Sequence, residues 1–399
     1  MNKVILLLSA VLSISWVSAD VGSVSNTDSP VAQTQHDKAT VSGRIMYLGM
    51  HRDYDHGNHG RASTLGITLN VQSPVWSGID MGLGYNYAES FLCGGNTDLL
   101  CNDEINVLNE AWLRYDLANI GMKKTHFIAG RKISHGEVFR RDDYRQKARA
   151  IEALQLTSQG LPDTELTVGH ASKMSNWIDA GDCWDFNNFG DVFGMADDTR
   201  GVTWVDMLYT GIKRWEVAVY DAYAWDVSNL IGTRIRYQLC KEASLTAYYR
   251  HEGNLGDAPR QSSNAYGISY HQDIGGGTIE TGYWGVSGDA LRFQETTTGI
   301  NHALGCSMML YSDQFSGDSN TLYIKATKKI GKTSAYLLYH YTWQDQKSYD
   351  GQEIDLVLKY PIGENFSATF KGGVGCRDGR DGVEDTLATD ARLFLTYTF

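Results

Sequence analysis

In a chain of 399 residues with formal net charge −12, the stretch from Arg131 to Arg149 reverses the sign of its surroundings. It carries Arg131, Lys132, Arg140, Arg141, Arg145, Lys147 and Arg149 against Glu137, Asp142 and Asp143. A guanidinium grips a carboxylate or phosphate through two parallel hydrogen bonds, so such a cluster has the chemistry to handle anions. Three settings would give it different meanings: a solvated surface, a nucleic-acid patch, or a constriction whose low-dielectric walls strengthen its field. The overall acidic balance argues against DNA or RNA as a partner.

Further cations recur at polar positions of later segments: Arg234, Arg236, Arg250, Lys325, Lys359, Lys371 and Arg392. A file of them would pass a carboxylate along without trapping it. The alternative for each is a structural pair with Glu110, Asp116, Glu280 or Asp355. Cys93 and Cys101 bracket seven residues of one polar segment, and an exported chain favours a disulfide between them. The pairing of Cys183, Cys240, Cys306 and Cys376 stays open. Asp53, Asp55 and Asn58 lack the Gly and the closing Glu of a calcium loop. The chain has no Cys-x-x-Cys, His-Glu-x-x-His or Gly-x-Ser-x-Gly pattern, so the expectation is no metal, no cofactor and no enzymatic activity.

What positions these residues follows from the rest of the chain. Residues 1–19 join Lys3 to an apolar run and a Val-Ser-Ala end, which is the pattern of a secretory signal peptide. Residues 20–38 form a polar N-terminal segment, and 39–399 is read as one unit. With 42 Gly, 23 Tyr, 10 Trp and only 5 Pro, the composition suits strands and turns rather than helices.

From Thr40 onward the hydropathy period is two. Leu65, Ile67, Leu69 and Val71 alternate with small or polar residues, and so do Ile79, Met81, Leu83, Tyr85 and Tyr87. Thr233/Ile235/Tyr237/Leu239, Leu322/Ile324/Ala326 and the terminal Leu393/Leu395/Tyr397/Phe399 repeat the pattern. Short turns near 73–78, 118–124, 159–163, 210–214, 240–243, 272–277, 329–333 and 361–365 alternate with longer polar segments. Those are 51–61, 89–106, 132–149, 174–200, 252–263, 285–318, 342–352 and 376–389. In lipid a strand protein can span only as a closed barrel with an apolar exterior and a polar lumen. The fold predicted is therefore all-β: a transmembrane antiparallel β-barrel of about eighteen strands, sixteen also being compatible, with short periplasmic turns and long extracellular loops. A soluble sandwich or solenoid alternates too, but does not combine a signal peptide, alternating loop lengths and an aromatic C-terminal strand.

On this reading Arg131–Arg149 joins the fifth and sixth strands. Gly130-Arg131, Val138-Phe139, Asp143-Tyr-Arg145 and Leu154-Gln-Leu-Thr-Ser-Gln-Gly-Leu-Pro-Asp-Thr-Glu-Leu-Thr-Val-Gly169 resemble the OprD-like outer-membrane porins, and Arg61–Gly66 is compatible with them. The match covers roughly residues 125–170; the chain lacks the prolines expected in that family's third loop and has extra cysteines. The resemblance implies a narrow channel for selective, passive diffusion of small carboxylate-bearing solutes (amino acids, organic acids) in the bacterial outer membrane, with an inward-folded basic third loop. The expected solute-binding set is Arg131, Arg140, Arg141, Asp143, Arg145, Arg234, Arg236, Arg250, Lys325 and Lys359. Expected partners are outer-membrane lipid and lipopolysaccharide, and the barrel-assembly machinery through the strand ending in Phe399, with the protein a monomer or trimer. The alternative is a structural or adhesin-like surface protein whose pore activity is incidental.

Overall fold

A computed structural model describes residues 38–55, 59–95, 104–141, 145–175, 186–256, 258–293, 310–345 and 347–399. The signal peptide and all but the last residue of segment 20–38 lie outside the described residues, as do Asp143, Cys101, Cys183 and Cys306. Eighteen barrel strands are described: β1 (Thr40–Tyr54), β2 (Gly60–Gln72), β3 (Ile79–Gly95), β4 (Ile105–Asp116), β5 (Thr125–Lys132) and β6 (Ala150–Ser158). β7 (Thr164–Ser175), β8 (Val202–Tyr209), β9 (Trp215–Ala224), β10 (Ser228–Cys240), β11 (Ala243–Asn254) and β12 (Ser262–Ile274) follow. The last six are β13 (Gly277–Gly288), β14 (Ser319–Ile330), β15 (Thr333–Gln344), β16 (Tyr349–Pro361), β17 (Phe366–Gly379) and β18 (Thr386–Thr398). Each pairs antiparallel with its sequence neighbours, and β18 pairs with β1 from Arg44↔Thr398 to Tyr54↔Ala388. The N–H of Gly43 donates to the carbonyl of Phe399 at 2.9 Å, and the N–H of Phe399 donates to the carbonyl of Gly43 at 3.0 Å. Closure leaves no edge strand, which is what lipid requires of backbone groups.

The two faces separate as the alternation predicts. Leu65, Ile67, Leu69, Val71, Met81 and Leu83 project outward and are exposed. Asp80, Asn86, Arg250, Asp355 and Arg392 occupy intervening positions and are buried. Apolar out and polar in is the reverse of a soluble protein and the signature of a barrel in lipid. Aromatic residues mark both ends of the apolar band: Trp215 packs at a tilt against Tyr237 with ring centroids 4.6 Å apart at one, while Tyr283 and Tyr341 donate to Asn320 and Asp350 at the other. Their amphipathic rings suit the two interfaces. Two luminal glycines, Gly82 and Gly169, lie under Trp112 and Trp204, so any side chain there would strike the indole. Glycine thus lets each ring lie flat along the wall instead of projecting into the lumen.

All eight predicted short turns are present, and so is the β5–β6 connection. The structure adds one connection that the polarity pattern missed, a tight turn at 225–227 between β9 and β10, where Asp226 has φ +63°. It completes eighteen strands. The predicted loops at 51–61, 342–352 and 376–389 are mostly strand: β1, β15, β16 and β17 continue as polar ribbon beyond the apolar band. After β4 the chain makes a 3-10 turn (Leu117–Ile120), in which the Ala118 N–H donates to the capping Asp116 carboxylate at 2.9 Å.

Ile67→Arg, in the middle of the lipid-facing run Leu65–Val71, is expected to cost about 2–4 kcal/mol. Reversible denaturant unfolding in lipid bilayers measures it; a neutral effect would place that face elsewhere.

Candidate functional site: a loop across the lumen

The long connection 133–149, called L3, is rooted where three β-bulges change the facing of the wall. The register skips Phe91 between β2 and β3, Asn109 between β3 and β4, and Ser172 between β6 and β7. A bulge inserts one residue and switches which side chains face inward beyond it. Above the β4 bulge Ile105, Val107 and Asn109 turn to the interior and are buried. Asn109 donates to the carbonyl of Ala148 at 3.0 Å and accepts from the Ser175 hydroxyl at 2.6 Å, while the Lys147 ammonium donates to Ser175 at 3.2 Å. The bulged wall top is therefore the cradle for the returning arm of L3.

The outgoing arm is held elsewhere. The Glu137 N–H donates to Asp206 of β8 at 2.5 Å, and the Glu137 carboxylate receives Arg234 of β10 at 2.8 Å. Arg234 also reaches Glu216 of β9 at 2.5 Å. Val138 and Phe139 are buried beside them, Phe139 meeting the Trp204 ring edge-on at 5.0 Å. The return arm then meets the opposite wall: Gln146 donates to Thr64 of β2 at 2.5 Å, and Arg44 of β1 donates to the Gln146 carbonyl at 2.9 Å. β2 and β10 are eight steps apart in a ring of eighteen, nearly diametrically opposed. L3 therefore bridges the lumen.

Two further connections, L4 (176–201) and L7 (289–318), also send aromatic residues inward. Phe189 lies 6.2 Å from Phe139, and Phe193 meets Phe293 edge-on at 5.4 Å. Leu291, Phe293 and Phe315 are almost fully buried in the same apolar cluster, and the Trp284 indole donates to the Gln314 carbonyl at 3.1 Å. Arg292 pins L7 through the Val227 and Pro259 carbonyls and Gln261, and its backbone N–H donates to Glu252. Burial pushes this guanidinium's pKa down, against the raising influence of Glu252 and Asp289. Farther round, Arg377 grips Asp313 with two nitrogens at 2.7 and 3.0 Å, its guanidinium carbon 4.2 and 4.5 Å from the ring centroids of Tyr311 and Tyr349.

The predicted solute-binding residues do not form one file. Arg131 is tied to Glu152 at 3.0 Å and lies 4.1 Å from the Phe186 ring centroid, at the root of L3. Arg140 is partly buried, Arg141 exposed and Arg145 buried, all within L3. Arg234 is engaged by two carboxylates, Arg250 by Glu252 and Lys325 by Glu280 at 3.1 Å. Arg236 donates to the Ser244 hydroxyl at 3.2 Å, and Lys359 is exposed; among the described residues neither has a carboxylate within 4.0 Å. Arg44 and Arg52, luminal residues of β1, stand outside the predicted set; Arg52 and Arg392 both contact Asp390, at 2.5 and 2.8 Å. Lys371 stands directly opposite Arg392 on the neighbouring strand. The spacing Arg44, Met46, Leu48, Met50, Arg52 held the missing signal, because all five share the inward period. Cys240 and Cys376 are free thiols, Cys240 lying at the short-turn end of β10. With Cys101 outside the described residues, the Cys93–Cys101 disulfide is carried as an expectation.

No family model matches the chain, and no curated protein matches it by sequence. Solved structures do match. A BenF-like porin from Pseudomonas fluorescens Pf-5 superposes with a TM-score of 0.74 at 14% identity, covering 92% of this chain and 99% of that one. OccK2 (OpdF) of Pseudomonas aeruginosa, solved in complex with glucuronate, gives 0.73 at 16%, covering 90% and 98%. OccAB4 of Acinetobacter baumannii gives 0.71 at 15%, covering 92% and 99%. At such identities the likeness is one of fold, and it agrees with the closed ring and apolar exterior described above. The chain is an eighteen-stranded antiparallel β-barrel with the fold of the OprD-like porins.

Proposed function

We propose that the barrel is a porin giving passive, partly selective diffusion of small carboxylate-bearing solutes through a lumen narrowed by L3. The observation that carries this reading is L3's attachment to opposite walls, at Asp206 and Arg234 on one side and Thr64 and Arg44 on the other. A surface-interaction protein would present its long loops to the medium. Here L3, L4 and L7 bury Phe139, Phe189, Phe293 and Phe315 inside the ring instead. One neighbour of the same fold was solved with glucuronate, a sugar carboxylate. Carboxylate-selective pores need cations whose charge is not already consumed by the wall. Arg236 and Lys359 meet that requirement, and Arg140, Arg141 and Arg145 supply the positive charge of L3 itself. Arg131, Arg234, Arg250 and Lys325 then serve chiefly as wall and loop pins, with Asp143 retained from the motif match as a loop residue.

Planar-bilayer recording tests the reading in two ways. Replacing Arg140, Arg141 and Arg145 together by Ala, or Arg236 by Glu, should move the reversal potential in a salt gradient toward cation preference. It should also weaken block by an organic acid about tenfold, near 1.4 kcal/mol. Unchanged selectivity in both variants contradicts the proposed cation path. Arg234→Ala strands the Glu137 and Glu216 carboxylates, and losing one partner of a buried pair costs about 3–5 kcal/mol. The account expects L3 to detach, with larger, noisier single-channel conductance; a wild-type trace would show that the clamp does not hold the loop.

A further inference from the structure

We propose that the rim formed by three consecutive short turns, β4–β5, β6–β7 and β8–β9, binds anionic phospholipid headgroups of the leaflet on that side. The proposal rests on the reading of the chain as a membrane-spanning barrel and not on which solutes cross it. The turns stand side by side and are tied together through their backbones. The Gln159 N–H donates to the Lys124 carbonyl at 2.9 Å, and the Thr210 N–H donates to the Asp163 carbonyl at 2.9 Å. The rim is therefore one surface rather than three separate loops.

Two kinds of side chain cover it. Ile120, Met122, Leu161 and Ile212 are large apolar groups that are 46–64% exposed. Lys123, Lys124, Lys213 and Arg214 are exposed beside them, and among the described residues none of the four has a carboxylate within 4.0 Å. The three turns contain one acidic residue, Asp163. Lys124 and Arg214 have φ of +54° and +71°. That is left-handed backbone, which glycine adopts freely and a long side chain does not. Two turns thus hold a cation where glycine would fit with less strain, which points to a use for the charge.

The height of these groups narrows the ligand. Trp215 and Tyr237 mark the adjacent end of the apolar band, where amphipathic rings meet headgroups. The Trp215 N–H donates to the Ile212 carbonyl at 2.9 Å, so Lys213 and Arg214 occupy the tight turn immediately beyond that ring. Cations one step past an interfacial aromatic stand among lipid phosphates, whose oxygens suit ammonium and guanidinium donors. The apolar tips between them meet the boundary with the acyl chains. An acidic soluble polymer would satisfy the cations but leave those tips in water. A headgroup with net negative charge, such as that of phosphatidylglycerol, complements both.

Native mass spectrometry of the barrel in mild detergent tests the rim, using equal amounts of phosphatidylglycerol and phosphatidylcholine with matched acyl chains. Wild type should retain phosphatidylglycerol about tenfold over phosphatidylcholine, equivalent to ~1.4 kcal/mol, and high salt should reduce that preference. Replacing Lys123, Lys124, Lys213 and Arg214 together by Gln should make retention of the two lipids equal. Neutralising Arg260 and Lys347, near the long loops, should leave the preference intact. Wild-type conductance of the fourfold variant in a phosphatidylcholine bilayer shows an intact barrel and separates this result from the pore reading. Equal retention of the two lipids by wild type, or an unchanged preference in the fourfold variant, would overturn the proposal. So would a wild type indifferent to lipid charge that binds purified cell-wall polymer through the same four residues.

Discussion

Everything in this structure follows from one constraint: in a bilayer each strand must give its backbone hydrogen bonds to another strand. The ring meets it by joining β1 to β18, with Gly43 and Phe399 exchanging bonds at the seam. Once the ring closes, the period of two forces a choice for every residue between lipid and lumen. Leu69 and Leu83 take the first, Asp80 and Arg392 the second. An interior dense with charge is therefore a consequence of spanning, and its pairs have to be judged against that background. Arg114 with Asp80 at 2.6 Å and Lys325 with Glu280 at 3.1 Å are how a polar wall satisfies itself.

Function enters where the wall departs from regularity. Bulges at Asn109 and Ser172 re-aim the top of the β4–β7 wall, where Asn109 and Ser175 are buried and hold Ala148 and Lys147. Across the barrel a second polar anchor, built from Asp206, Arg234 and Glu216 on three adjacent strands, holds Glu137. Such buried ion pairs contribute little net stability but specify position strongly, because misplacing one partner leaves the other charge uncompensated. Apolar packing of Phe139 against Trp204 and Phe189 supplies the non-directional share of the attachment.

Much of the fold was legible in the sequence because membrane strands obey a strict binary pattern. Leu65 to Val71 could be nothing but a two-faced strand, and the eight short turns were marked by its interruption. What the pattern hid has physical causes. The turn at Asp226 is tight and flanked by apolar residues, so polarity gave no sign of it. The ends of β1, β15 and β17 are strand in water, where polar side chains on both faces imitate a loop. The site was legible only in part. Charge concentration pointed to L3, and period two placed Arg234, Arg236 and Arg250 on the inner face. Their division into neutralised pins and available cations depends on partners distant in sequence, such as Glu137 for Arg234, and no local pattern encodes those.

The central claim is that L3 crosses the lumen, and thiol labelling in intact cells tests it most directly. Arg141→Cys places a thiol on an exposed L3 position and Asp381→Cys places one in the β17–β18 loop; each is compared with the wild-type background. The account predicts that a small methanethiosulfonate labels both, whereas a bulky polymer maleimide labels only Asp381→Cys. Equal labelling of Arg141→Cys by the bulky reagent would put L3 on the cell surface and contradict the account.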